Sequence, residues 1–300
     1  MSQDPTHAPT EPFPILRDDA TGVLTIRLDQ PGKPVVVLDH PLIQRLDATL
    51  DHLPRDAAGL ILASASPRVF IAGADLRSIH DWPDDQLHRY LRFGSRVFAR
   101  LASTPFPTVA ALNGAALGGG LEIALHCDGL VAAPSASGKP YPVGLPEASL
   151  SICPGWGGTN LLPARLDPAL AIARTASGTP FTSDEAKDLG LFDAFAPSPD
   201  TLIDTATRWL LDQRGTPLTR DGAPRRWIGR PATAARVLAA LDQTRASLPN
   251  TDVARAVARA VDAGLTRGWD DALGVERDEL VRLRHTPAGK AAIEAFFARK

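Results

Sequence analysis

The chain is 300 residues long and carries 32 Lys+Arg against 34 Asp+Glu, a formal charge of −2. That balance excludes a strongly basic nucleic-acid surface as the main function, and a cysteine count of 2, Cys127 and Cys153, excludes a disulfide scaffold or a Cys-rich zinc site. No apolar run approaches the ~18–20 residues of a membrane span, and the first residues lack an apolar signal core, so a cytoplasmic enzyme is expected.

Residues 1–13 place Pro5, Pro9 and Pro12 among polar residues and read as a disordered tail. Residues 22–28 alternate and are β-branched, which predicts a strand. Residues 42–53 have a helical period, and the apolar run 59–63 predicts a buried strand. Residues 84–102 predict a helix with Leu87, Leu91, Val97, Phe98 and Leu101 inward, and 108–112 and 129–133 predict two further strands. This alternation, from about residue 14 to about residue 165, favours an α/β fold with helical crossovers. Beyond residue 167 strand signals are expected to stop. Residues 168–176, 183–189 and 200–213 predict helices, and Val253, Val257, Val261 and Leu265 recur four apart as one helical stripe.

Three segments carry chemistry. After the strand at 108–112, Gly118-Gly119-Gly120 opens a helical run through Glu122 to Cys127. Glycines there let a backbone approach a ligand closely, and the helix start offers free N–H groups and a positive dipole end to an anion or a polarised carbonyl oxygen. The pattern is no dinucleotide fingerprint, no phosphate loop and no nucleophile elbow. The second segment, Phe70-Ile71-Ala72-Gly73-Ala74-Asp75-Leu76, is again built of small residues. In the third, Leu145-Pro146-Glu147 precedes Pro154-Gly155-Trp156-Gly157-Gly158-Thr159. The histidines show no metal-ligand spacing.

Those three blocks, in this order, resemble the enoyl-CoA hydratase/isomerase (crotonase) family. A fourth match is Ala186-Lys187-Asp188-Leu189-Gly190-Leu191-Phe192-Asp193. The close of the chain, with Thr286-Pro287, Ile293 and Phe296-Phe297, is similar to the end of the hydratase domain in multifunctional fatty-acid oxidation enzymes. Their dehydrogenase part is not expected in this chain. The resemblance implies an α/β, ββα spiral core over 14–200 and a helical C-terminal region over 201–300.

It also implies enoyl-CoA hydratase activity, with acyl-CoA as substrate and coenzyme A entering only as part of it. No metal, redox cofactor or nucleic-acid partner is implied. Carried over by position, the oxyanion-hole N–H groups belong to Ala74 and Gly119, and the paired acid–base carboxylates are Glu122 and Glu147. Ile71, Ala72, Gly73, Asp75, Leu76 and Gly118 would contact the substrate. One carboxylate and one acid is the expected division, because close like charges resist joint ionisation. Asp75 and Asp128 also read as cap or structural residues, and His126 as a packing residue. A Δ3–Δ2 isomerase, a thioester hydrolase or decarboxylase, and a silent acyl-CoA binder are the rivals. Stand-alone members are commonly trimers or dimers of trimers, so a homo-oligomer is compatible with the resemblance. Val36, Ser151, Asn160-Leu161-Leu162-Pro163 and the proline-rich 134–146 depart from the family pattern and are expected to flank the acyl pocket.

Overall fold

The structure, a computed structural model, describes residues 11–298. Its strands are β1 (Ile15–Arg17), β2 (Val23–Leu28), β3 (Gly59–Ser64), β4 (Val69–Ile71), β5 (Thr108–Leu112), β6 (Ala115–Leu117), β7 (Gly129–Ala132), β8 (Pro142–Gly144), β9 (Phe181–Thr182) and β10 (Ala194–Phe195). The helices are α1 (His40–Asp51), α2 (Leu76–Asp81), α3 (Asp84–Leu101), α4 (Gly119–Leu125), α5 (Gly158–Leu161) and α6 (Pro168–Ser177), then α7 (Ser183–Asp188), α8 (Leu202–Asp212), α9 (Pro231–Thr244), α10 (Asp252–Thr266), α11 (Trp269–Arg284) and α12 (Pro287–Ala298). No helix among the described residues is long and apolar enough to cross a membrane.

The larger sheet runs β1-β2-β3-β5-β7-β10 and the smaller β4-β6-β8-β9. Three successive pairs, β3–β4, β5–β6 and β7–β8, put one strand in each sheet before the chain turns into a helix, so the core is a ββα spiral. The pairings β2–β3, β3–β5 and β5–β7 are parallel. Parallel strands buried on both faces need apolar residues throughout, and β3, β5 and β7 are buried at every position. Alternate residues part to opposite faces: Leu60, Leu62, Ala110 and Leu130 join the main core, whereas Ile61, Val109 and Val131 join a smaller core under α8.

The helical region packs on this spiral. Helix α10 lies against α5 and α6, α11 against α3 and α2, and α12 against the 3-10 turn Glu147–Leu150. The stripe buries Val253, Val257 and Val261, and Leu265 packs against the same core.

Two expectations need correction. Strand structure does not stop at residue 167, because β9 pairs with β8 and β10 with β7. Two-residue strands are too short to show a period in sequence. Most of the expected tail, residues 1–10, lies outside the described residues, but Phe13 is not tail: its ring is buried under the Arg45 guanidinium, 3.9 Å from the ring centre, and its N–H donates to Thr49 Oγ1 at 2.7 Å.

Candidate active site

The smaller sheet assembles the site. Its strands β4, β6 and β8 run parallel, so their carboxyl ends open on one side, the usual ligand side of an α/β sheet. Directly after those ends come Ala72–Ala74, then Gly118, then Leu145-Pro146-Glu147. The segment after β4 is held by Ala72 N–H donating to Val36 O and by Leu38 N–H donating to Gly73 O, each at 2.9 Å. The three ends enclose a cavity of about 310 Å³, lined at its polar end by Ala72, Gly73, Ala74, Gly118, Gly119, Glu122 and Glu147. Leu76, Ile79, Leu91, Leu150, Ile152, Leu280 and Phe296 form its apolar wall.

Glu122 is on α4 and is 1% exposed. Its Oε1 accepts two backbone N–H groups, Trp156 at 2.8 Å and Gly158 at 2.9 Å. Burial, followed by the nearby charges of Glu276 and Glu147, pushes its carboxyl well above the ordinary range, against the pull of those two N–H groups. Glu147 starts the 3-10 turn, and its Oε1 approaches Gly118 so closely that a Cβ there would stand 2.5 Å away. Its Oε2 is sealed from solvent with no partner among the described residues. Burial raises its carboxyl to about 8, with a smaller contribution from the charge of Glu276.

Neither Ala74 N–H nor Gly119 N–H meets a backbone acceptor among the described residues, and a Cβ on Gly119 would lie 3.3 Å from Ala74 N. The two donors are therefore side by side at the cavity wall. Trp156 explains why residue 119 has no side chain: a Cβ would fall 2.5 Å from the six-membered part of its ring. That ring cannot yield easily. It is edge-on to Tyr90 and Phe98, and its Nε1–H donates to Leu91 O at 3.0 Å. Gly119→Ala is expected to cost ~1–3 kcal/mol by overpacking, to shift the tryptophan emission, and to lower turnover; thermal melts, fluorescence and an activity assay on one preparation check it.

Not all expected contact residues reach the cavity. The Ile71 side chain is fully buried in the core, and Asp75 caps α2, accepting from Arg77 N–H and from Ser78 Oγ at 2.6 Å. Of the departures expected to flank the acyl pocket, only Pro146 lines it. Asp128 is tied to Arg220 and Thr108. His126 packs against Phe98 and Trp269, and burial lowers its pKa to about 4.

One residue was missed. Glu276 on α11 is fully buried, and its carboxylate accepts from the N–H groups of Gly157 and Thr159 and from the Thr159 hydroxyl. The signal was present in sequence: Trp269, Leu273, Glu276, Leu280 and Leu283 share one helical face, so a charge interrupts an apolar stripe.

The sequence profile of the enoyl-CoA hydratase/isomerase family matches residues 18–214. The fatty acid oxidation complex subunit alpha of Vibrio cholerae (classical, strain O395) is 32% identical over 286 residues, covering 91% of this chain and 39% of that protein. The chain thus spans well under half the length of that relative. Among solved structures, human mitochondrial delta3-delta2-enoyl-CoA isomerase superposes with a TM-score of 0.69 at 22% identity, covering 96% of this chain and 98% of that one. An enoyl-CoA hydratase from Bacillus anthracis gives 0.59 at 25% identity, covering 95% and 96%.

Proposed function

Because the chain belongs to the enoyl-CoA hydratase/isomerase family, we propose that it adds water reversibly to a trans-2-enoyl-CoA, giving a 3-hydroxyacyl-CoA. The observation that supports hydration most is that Glu122 and Glu147 line one cavity beside two adjacent backbone N–H donors. In this reading the thioester oxygen accepts from Ala74 N–H and Gly119 N–H, and these donors take up the negative charge that develops as the enolate forms. Glu122 acts as the carboxylate: the N–H groups of Trp156 and Gly158 that hold its Oε1 favour the charged form and oppose the burial that raises its carboxyl, whereas Glu147 Oε2 has no such donor among the described residues. Glu122 takes a proton from water as the oxygen attacks C3. Glu147, whose sealed Oε2 favours the neutral form, is the acid that protonates C2. The apolar wall from Ile79 to Phe296 suits an acyl chain, which supports a role in fatty-acid oxidation or related acyl-CoA metabolism. The chemistry needs no cofactor beyond the coenzyme A of the substrate.

Isomerisation of a 3-enoyl-CoA asks only for proton transfer from C2 to C4, for which one carboxylate suffices. Supplying 2-enoyl- and 3-enoyl-CoA in separate assays separates the readings. A hydratase consumes the conjugated thioester, whereas an isomerase forms it from the 3-enoyl compound and stops there.

A pH profile follows from Glu147. With its carboxyl raised to about 8, it is protonated at neutral pH and loses its proton as pH rises through that value, so turnover is expected to fall on the alkaline side; on the acid side it is expected to fall as the Glu122 carboxylate takes up a proton. The same shift bears on stability. A folded-state pKa above the ordinary 4.5 gives a contribution that is full below the ordinary carboxyl range and lost as pH rises through about 8. Glu147→Gln cannot ionise, so it is expected to melt above wild type at pH 9 while being less active.

A further inference from the structure

Four consecutive backbone N–H groups form the turn at residues 156–159, and they alternate between two buried carboxylates. Trp156 and Gly158 donate to Glu122, and Gly157 and Thr159 donate to Glu276. The alternation requires a backbone that reverses at every residue. Gly157 supplies it at φ +100°, a region that L side chains rarely adopt. Among the described residues the donors to the Glu276 carboxylate are the two N–H groups and the Thr159 hydroxyl, and none of them is cationic. Burying a carboxylate costs stability that hydrogen-bond donors without an opposite charge offset only in part.

We propose that Glu276 is a positioning residue for the acid–base pair: from the C-terminal region it locks the 156–159 turn, and the turn in turn fixes the carboxylate of Glu122. This rests on the hydration reading above and adds to it a contribution from a helix far along the chain. Glu276 also acts by charge. The groups that face the cluster are Glu122 on α4, Glu147 on the 3-10 turn, the Cys153 thiol, and Arg277 and Glu279 on α11. Only Arg277 is positive, and although burial lowers its pKa it keeps its charge. The negative charge of Glu276 therefore raises both working carboxyls.

Glu276→Gln removes that charge and turns an amide N–H₂ toward one of the backbone donors. The expected result is a fall in kcat of ~10- to ~10²-fold, the scale of a ~1 Å misplacement, with KM within about twofold. Both limbs of the pH profile should move to lower pH. Glu276→Asp keeps the charge but withdraws it by one carbon, so kcat should fall while the limbs stay in place. Thr159→Val, which deletes one donor at nearly constant volume, should lower kcat without changing KM. Folded Glu276→Gln with wild-type kcat and unmoved limbs overturns the proposal. If that variant does not fold by near-ultraviolet circular dichroism, wild-type kcat in either of the other two overturns it. If none of the three folds, Glu276 belongs to the scaffold and the proposal fails. Infrared difference spectra of the buried carboxyl band against pH, on wild type and Glu276→Gln, need no substrate. A protein that does not hydrate but shows the shifted titration would refute the hydration reading and leave the positioning intact.

Discussion

Glu122→Gln and Glu147→Gln are each expected to lower the proposed hydration turnover by at least ~10²-fold, the low end of what a positioned acid or base supplies. The geometry makes both substitutions clean. Glutamine at 122 still offers an amide oxygen to Trp156 N–H and Gly158 N–H, the two groups that hold the native Oε1, so the side chain stays in place while its basicity is lost. At position 147 the amide replaces a carboxyl whose Oε2 makes no hydrogen bond among the described residues. Neither change alters the cavity volume to any extent, so KM should stay near wild type, and steady-state kinetics measure the split directly. Wild-type kcat in either variant would remove that residue from the mechanism.

Cutting the chain after Asn250 should abolish activity and the native fold together. The cut removes α10, α11 and α12, and with them the buried Val257, Val261, Leu280 and Leu283. At ~1.5–3 kcal/mol for each fully buried side chain, these four alone are worth ~6–12 kcal/mol, comparable to the ~5–15 kcal/mol that holds a typical domain together. It also removes Leu280 and Phe296 from the cavity wall and Glu276 from the turn at 156–159. Light scattering, thermal melts and an activity assay decide the matter: aggregation or a collapsed melt is expected, and unchanged mass, melting temperature and turnover would show the region to be dispensable.

Much of the larger sheet was legible because its strands are apolar runs bounded by polar turns, and residues 59–63 and 108–112 match β3 and β5 to within a residue at either end. The smaller sheet was not. Its strands β4, β6 and β8 have three residues each, one and a half side-chain periods, so nothing in their pattern separates them from loop. Yet these strands aim the site. The segments that hold Glu122, Glu147, Gly119 and Ala74 stood out through their glycine-rich and small-residue surroundings, which mark places where the backbone itself meets a ligand; the four residues themselves were assigned by the resemblance to the family. Glu276 did not stand out, because it lies in an ordinary helix with no block of small residues around it. Its clue was a wrong residue type on the right face, and such a clue acquires meaning only once the partner turn, more than 100 residues away in sequence (|i−j| of 117 to Thr159), is seen beside it. Asp75 taught the converse: its neighbours line the cavity, but a cap position consumed its carboxylate.

The central claim is that one cavity holds a water between Glu122 and Glu147 and delivers it to C3 of an enoyl thioester. Its most direct test is incubation of the wild-type protein with a short trans-2-enoyl-CoA in ¹⁸O-labelled water, followed by mass spectrometry of the thioesters. A 3-hydroxyacyl-CoA carrying the mass of one labelled water, formed at least ~10²-fold more slowly by Glu122→Gln, is the predicted result. Unchanged enoyl-CoA, or labelled product formed equally well by Glu122→Gln, would contradict it.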